Sequence, residues 1–124
     1  MTAIADRPVP APGAPAVTPG LPHVDLLRLR ERLEPAERAR LDAIEDHLQT
    51  RVRPHLTRYW DAEEFAFDLL PGLAELGLGR LVLDGSSSLF QQLVHAEIAR
   101  VDLSLSALVG IHNELIVGTI AHLG

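Results

Sequence analysis

The sequence predicts an all-α protein: a small bundle of four to five helices, orthogonal or up-down, behind a disordered Pro-rich N-terminal tail. Three observations lead there. Apolar residues recur at three-and-four spacing, most clearly at Leu41, Ile44, Leu48 and Val52. Pro35 and Pro71 stand where helices can start, and Gly77 where one can stop in the left-handed conformation. Ser86, Ser87, Ser88 and Asp102 precede apolar periodic runs, where a side-chain oxygen can accept from a free first-turn N–H.

In order, residues 1–22 are Ala/Pro-rich and hold six of the nine prolines. Closely spaced prolines sustain neither a helix nor a sheet ladder, so a disordered or extended leader is expected. Pro12 and Pro15 match a PxxP docking register, a pattern that many linkers share. From His23 to Leu33, leucines at 26, 29 and 33 suit a short amphipathic helix. A second helix follows from Pro35 to about Val52, with Glu37 in its first turn, and is expected to end or kink at Pro54. Residues 54–65 read as a connector, and Phe67 to Leu76 as a third helix. The run from Gly79 reads as an extended piece and polar loop. A helix from Leu89 then buries Phe90, Leu93, Val94, Ile98 and Val101, and Asp102 caps the last one. Residues 23–124 thus form one helical domain.

Composition removes whole classes of function. A net charge of −6 with no basic cluster speaks against nucleic acid, whose phosphates need grouped Lys or Arg. The chain has no cysteine, which excludes thiol catalysis, disulfides and Cys-based zinc sites. The longest uninterrupted apolar run falls short of the roughly 20 residues of a membrane span. No secretory signal opens the chain, so the expected compartment is the cytoplasm.

The last thirty residues are the most unusual. As a helix from about Ser104, they line up Leu105, Leu108, His112, Leu115 or Ile116, Thr119 and Leu123 on one side. Ala107, Gly110, Ile111, Glu114, Gly118 and Ala121 then form an opposite small-residue face. A helix that is apolar all round has to be covered on both sides. So short a chain covers one side from its own helices, and the other is expected to meet a partner.

Two segments carry a resemblance. EFAFDLLPGLAELGLG, and after a loop HAEIARVDLSLSALVGIHNELIVGTIAHLG, closely resemble the N-terminal helical domain of acyl-CoA dehydrogenases, over about Pro35 to Gly124. The resemblance implies flavin chemistry in the complete enzyme. A carboxylate removes the α-proton of an acyl thioester, the β-hydrogen passes as hydride to FAD, and electrons leave to an electron-transfer flavoprotein. It also implies that the catalytic glutamate and main FAD contacts belong to middle and C-terminal domains. This chain is then expected to stop short of them at Gly124 and to bind no FAD alone. By position, Ala107, Ile111 and Leu115 correspond to a wall of the acyl pocket, and Gly110, Glu114 and Gly118 to an interface. Ala66 replaces a usual proline, the loop Leu83 to Ser88 lacks the common double glycine, and Glu114 replaces a small residue. Ala99 and Ser106 stand where glutaryl-specific branches place Glu and Arg, so a dicarboxylic substrate is not expected.

No catalytic or metal-ligating set emerges from the residues themselves. None of the six histidines has Glu three residues before it, the spacing that puts two ligands on one helix face. His112 reads as a hydrogen-bonded core or interface residue, and Glu97 with Arg100 as an ion pair. Two functions follow. One is the N-terminal domain of an acyl-CoA dehydrogenase, inactive alone, whose partners are the other two domains, acyl-CoA and the electron-transfer flavoprotein. The other is a stand-alone helical interaction or oligomerisation module without catalysis.

Overall fold

The structure is a computed structural model that describes residues 25–124, so the leader expected over 1–22 lies outside the described residues. The fold is all-α, with no strand among the described residues. The first described element is a short 3₁₀ turn, Leu29–Arg32, where an amphipathic helix was expected. The Asp25 carboxylate accepts from the Leu29 and Arg30 N–H groups at 2.8 and 2.9 Å, and Arg28 takes a left-handed backbone (φ 52°). That local capture competes with helix propagation.

α1 (Pro35–His47) opens with proline in its first turn and buries Leu41 and Ile44. The helix does not stop at Pro54. It widens into a π-helical stretch, Leu48–Val52, and continues as α2 (Arg53–Ala62). Proline cannot donate to the preceding turn. In the wider turn the Arg53 N–H bonds back to the Leu48 carbonyl, and the helix absorbs the missing bond without breaking. The connector expected over 54–65 is therefore helical to Ala62, and Glu63 ends it in the left-handed region (φ 54°).

After a 3₁₀ turn at Phe67–Leu69 comes α3 (Leu70–Glu75), ended by Gly77 at φ 75°. A Cβ at Gly77 would also stand 2.8 Å from the Arg40 guanidinium. The run expected to be extended is instead a 3₁₀ helix, Leu78–Leu83, kinked at Arg80 (φ −144°, ψ 27°). Its buried residues, Leu78 and Leu81, are three apart, the repeat that a 3₁₀ turn brings to one side.

α4 (Ser88–Val101) starts where the Ser87 hydroxyl accepts from the Phe90 N–H at 3.1 Å. It lays Phe90, Val94 and Ile98 against Leu41, Ile44, Leu48 and Val52, all fully buried. Each such side chain contributes about 1.5–3 kcal/mol by leaving water. Asp102 then turns the chain into α5 (Leu103–Gly110), which runs through a π-helical stretch, Ile111–Val117, into α6 (Gly118–Leu123). These three pieces form one continuous helix, Leu103–Leu123.

Arg40 fastens α1 to the loop beyond the 3₁₀ run. Its guanidinium donates to Asp84 Oδ2 at 2.6 Å and lies 5.0 Å from the centre of the Phe90 ring. Burial would push the Asp84 carboxyl up, but hydrogen bonds from Ser86 and the Arg40 charge outweigh it and hold the carboxyl below its ordinary value. A folded-state pKa below the unfolded one adds stability that is complete above the ordinary carboxylate range. It is lost as pH falls through the folded value. Asp84→Asn is therefore expected to destabilise at neutral pH, with the difference from the parent closing on acidification. Urea unfolding at a series of pH values checks this, and a pH-independent difference contradicts it.

Candidate functional site

The candidate site is the outer face of the last helix, and its orientation is set by four anchors on the inner face. At the start, Asp102 Oδ1 accepts from the Leu105 N–H at 2.8 Å while its other oxygen accepts from the Trp60 indole N–H at 3.1 Å. One turn on, the Ser106 hydroxyl donates to the His95 carbonyl at 3.1 Å. Gly110 comes next and faces α4, where a Cβ would make ordinary contact with the His95 ring at 3.5 Å. The strongest anchor is Asn113, 1% exposed. Its amide donates to the Leu78 carbonyl at 2.6 Å and the Val109 carbonyl at 2.9 Å, and its oxygen accepts from the Leu81 N–H at 2.8 Å.

With Leu105, Val109 and Asn113 buried, the helix turns Ala107, Ile111 and Leu115 outward. Ile111 is 53% exposed and Leu115 66%, unusual for such large alkyl groups. Leu103, Ile116, Ile120 and Leu123 extend the exposed apolar surface. The structure thus brings Ala107, Ile111 and Leu115 into one line. Of Gly110, Glu114 and Gly118, it brings the last two onto one hollow and sets Gly110 apart. Gly110 faces α4, whereas Glu114 is exposed and lines a shallow hollow with Val82, Gly118 and Thr119.

One expectation about this helix needs correction. The buried stripe is Leu105, Val109 and Asn113, not the series through Leu108, His112 and Leu115. His112 is exposed, at the mouth of a hollow of about 210 Å³ whose floor includes Leu73, Leu78 and Val109. A carboxamide matches two backbone partners on the 3₁₀ run, and those bonds outweigh the hydrophobicity of the alternative stripe. The one sequence sign of it was an amide four residues after Val109 and eight after Leu105 in an otherwise apolar stretch.

A second apolar hollow, of about 330 Å³, lies beside the start of the helix, between Leu56, Tyr59, Trp60, Phe65 and Leu105. Next to it the Tyr59 hydroxyl donates to Asp68, with the Arg58 guanidinium against both. The Tyr59 bond, helped by the Arg58 charge, holds the Asp68 carboxyl below its ordinary value. The same bond, with burial, raises the Tyr59 hydroxyl above its own. Among the described residues, no group of three or more His, Cys, Asp or Glu could hold a metal ion.

By length and composition alone, the helix Leu103–Leu123 could cross a membrane, with a mean hydropathy of 1.4 over its most apolar eighteen residues. The expectation from uninterrupted runs missed this, because the apolar content is spread around His112, Asn113 and Glu114. Those polar residues stand at mid-length, where a bilayer tolerates them least, and Asn113 ties the helix to its own bundle. The helix thus keeps one face on its own core and leaves a largely apolar face exposed.

The chain was compared with known proteins. The family model for the acyl-CoA dehydrogenase N-terminal domain matches residues 34–124. No curated protein and no solved structure matches.

Proposed function

Because the chain belongs to the acyl-CoA dehydrogenase family, as its N-terminal domain, we propose that it serves a flavin-dependent acyl-CoA dehydrogenase. Its last helix supplies one wall of the acyl pocket and the surface on which the catalytic domains sit. The observation that carries this reading is the line of exposed alkyl side chains at Ala107, Ile111 and Leu115, on a helix rigidly anchored from behind. A linear acyl chain buries about 0.8 kcal/mol per methylene against such a surface, and needs no polar partner there.

Among the described residues, the outer face of the last helix and the hollows beside it are a poor match for FAD. The line Ala107, Ile111 and Leu115 offers alkyl groups, and the hollows beside Trp60 and His112 are lined chiefly by carbon, whereas a pyrophosphate requires converging donors. On this reading the flavin, which accepts the hydride in this family, is held by other domains. This chain's part is to bind and orient the substrate's alkyl portion and to keep water from it.

The test is the absorbance of the purified chain, followed by mixing with a flavin-loaded fragment comprising the middle and C-terminal domains of an acyl-CoA dehydrogenase. The chain is expected to be colourless and inactive alone, and to restore acyl-CoA oxidation when mixed, with Ile111→Glu abolishing the restoration. One flavin per purified chain with turnover overturns the division of labour. A homo-oligomer in light scattering that ignores the fragment replaces this reading with the non-catalytic interaction module, which the same exposed face could serve.

A further inference from the structure

The hollow of about 330 Å³ beside Trp60 takes no part in the acyl-pocket reading. Of the residues lining it, Tyr59, Ala66 and Leu105 are buried, whereas Trp60 and Phe65 are 66% and 40% exposed. Glu63 and Glu64 also line it, both exposed, and neither carboxylate has a side-chain partner among the described residues. Asp102, the third carboxylate there, already accepts from the Leu105 N–H and the Trp60 indole N–H. No described Lys, Arg or His lines the hollow. Arg58 lies over the Tyr59 ring at 4.6 Å but is turned to Asp68. The fitting occupant covers aromatic rings and brings a positive charge.

The chain's own leader has that chemistry. Arg7 is the one basic side chain in residues 1–22 and stands directly before the run that holds Pro8, Pro10, Pro12 and Pro15. Proline-rich segments dock on aromatic-lined grooves, at low entropic cost because proline has little freedom to lose. Asp6 is the one acid of the leader, so the attraction is local to Arg7 and owes nothing to net charge. Length permits the contact. The described chain begins at Asp25, whose carboxylate holds the Leu29 and Arg30 N–H groups, and Arg30 reaches Glu97 on α4. Asp102 follows Glu97 by five residues, about 7 Å along the helix. Residues 16–24 span up to about 30 Å when extended, well beyond that length plus one arginine side chain. A tether of this kind keeps a segment at about millimolar local concentration, so a contact too weak to hold separate molecules still closes.

We propose that residues 7–15 of the same chain occupy this hollow, with prolines against Trp60 and Phe65 and the Arg7 guanidinium against Glu63 and Glu64. The leader is then an intramolecular ligand of the helical domain. It covers Trp60, whose indole N–H bonds the Asp102 carboxylate that starts the last helix. Keeping water from that bond strengthens it. The leader thereby braces the anchor that orients the last helix without occupying the exposed line of Ala107, Ile111 and Leu115. This contact is independent of the acyl-pocket reading and survives if that reading fails.

Trp60 is the only tryptophan in the chain, so its fluorescence reads the hollow directly. In the full chain its emission is expected to be blue-shifted and weakly quenched by acrylamide. Arg7→Glu combined with Pro10→Gly and Pro12→Gly should shift the emission to the red and raise the quenching constant several-fold, with helical content unchanged. Reversing the two carboxylates, Glu63→Arg with Glu64→Arg, should expose the ring in the same way. Adding Arg7→Glu to that pair should restore the shielding, a rescue that a merely structural effect of either change does not give. Equal quenching of the full chain and the leader variant overturns the proposal, whether the ring is bare in both or covered by something else in both. Shielding that is lost on dilution, with light scattering showing a dimer, assigns the hollow to a second copy and overturns the intramolecular contact.

Discussion

Replacing Asn113 by leucine is expected to lower the stability of the chain by about 3–5 kcal/mol, the cost of turning two buried backbone groups toward an alkyl side chain. Leu fills a similar volume, so the loss comes from the bonds. The Leu81 N–H loses its 2.8 Å acceptor and the Leu78 carbonyl its 2.6 Å donor, both where water does not reach. The kink at Arg80 leaves the Leu78–Leu83 run off regular geometry, so that run cannot close on itself to recover them. Glu114→Leu, one position along and exposed, is expected to change stability by less than about 0.5 kcal/mol. Urea unfolding followed by circular dichroism compares the two. A loss below about 1 kcal/mol in Asn113→Leu would mean that the last helix is held by apolar packing alone.

The second large effect lies at Arg30. From the 3₁₀ turn ahead of α1 it donates to Glu45 Oε2 at 2.8 Å, to Asp42 Oδ1 at 2.5 Å and to Glu97 Oε1 at 3.3 Å. Glu97 is 4% exposed and also accepts from Arg100 at 2.7 Å. The expected ion pair of Glu97 and Arg100 is thus part of a cluster that joins three elements. Arg30→Met is expected to cost about 3 kcal/mol, because it leaves two carboxylates side by side with one cation fewer. The Asp42 contact adds little, since Asp42 is largely solvated. Arg30→Met combined with Glu97→Leu should recover much of that loss, since removing a buried charge together with its partner is milder than orphaning it. If the double variant is less stable than the single by the full cost of Glu97→Leu alone, the two residues are not coupled.

The helical class and most helix starts were legible because their causes are local. The stripe Leu41, Ile44, Leu48 and Val52, the Ser87 and Asp102 caps and the Gly77 stop each depend on residues within one or two turns. The connector expected after Pro54 was misread because the usual effect of proline is to end a helix, whereas here a π-helical stretch, with Leu48 and Val52 held in the core, carries the helix past it. The 3₁₀ run at 78–83 was hidden for the same reason. Its bonds go to Asn113, more than thirty residues away, and no window around Leu81 contains them.

For the outer face, composition alone marked the last helix as apolar all round, and its motifs pointed to the family. Which side faces inward was decided only in the tertiary structure. Periodicity offered two stripes of similar hydrophobicity, and apolar contacts are non-directional, so they could not choose between them. Hydrogen bonds are directional, and the Asn113 amide has its partners on one side only, on the Leu78–Leu83 run brought there by the fold.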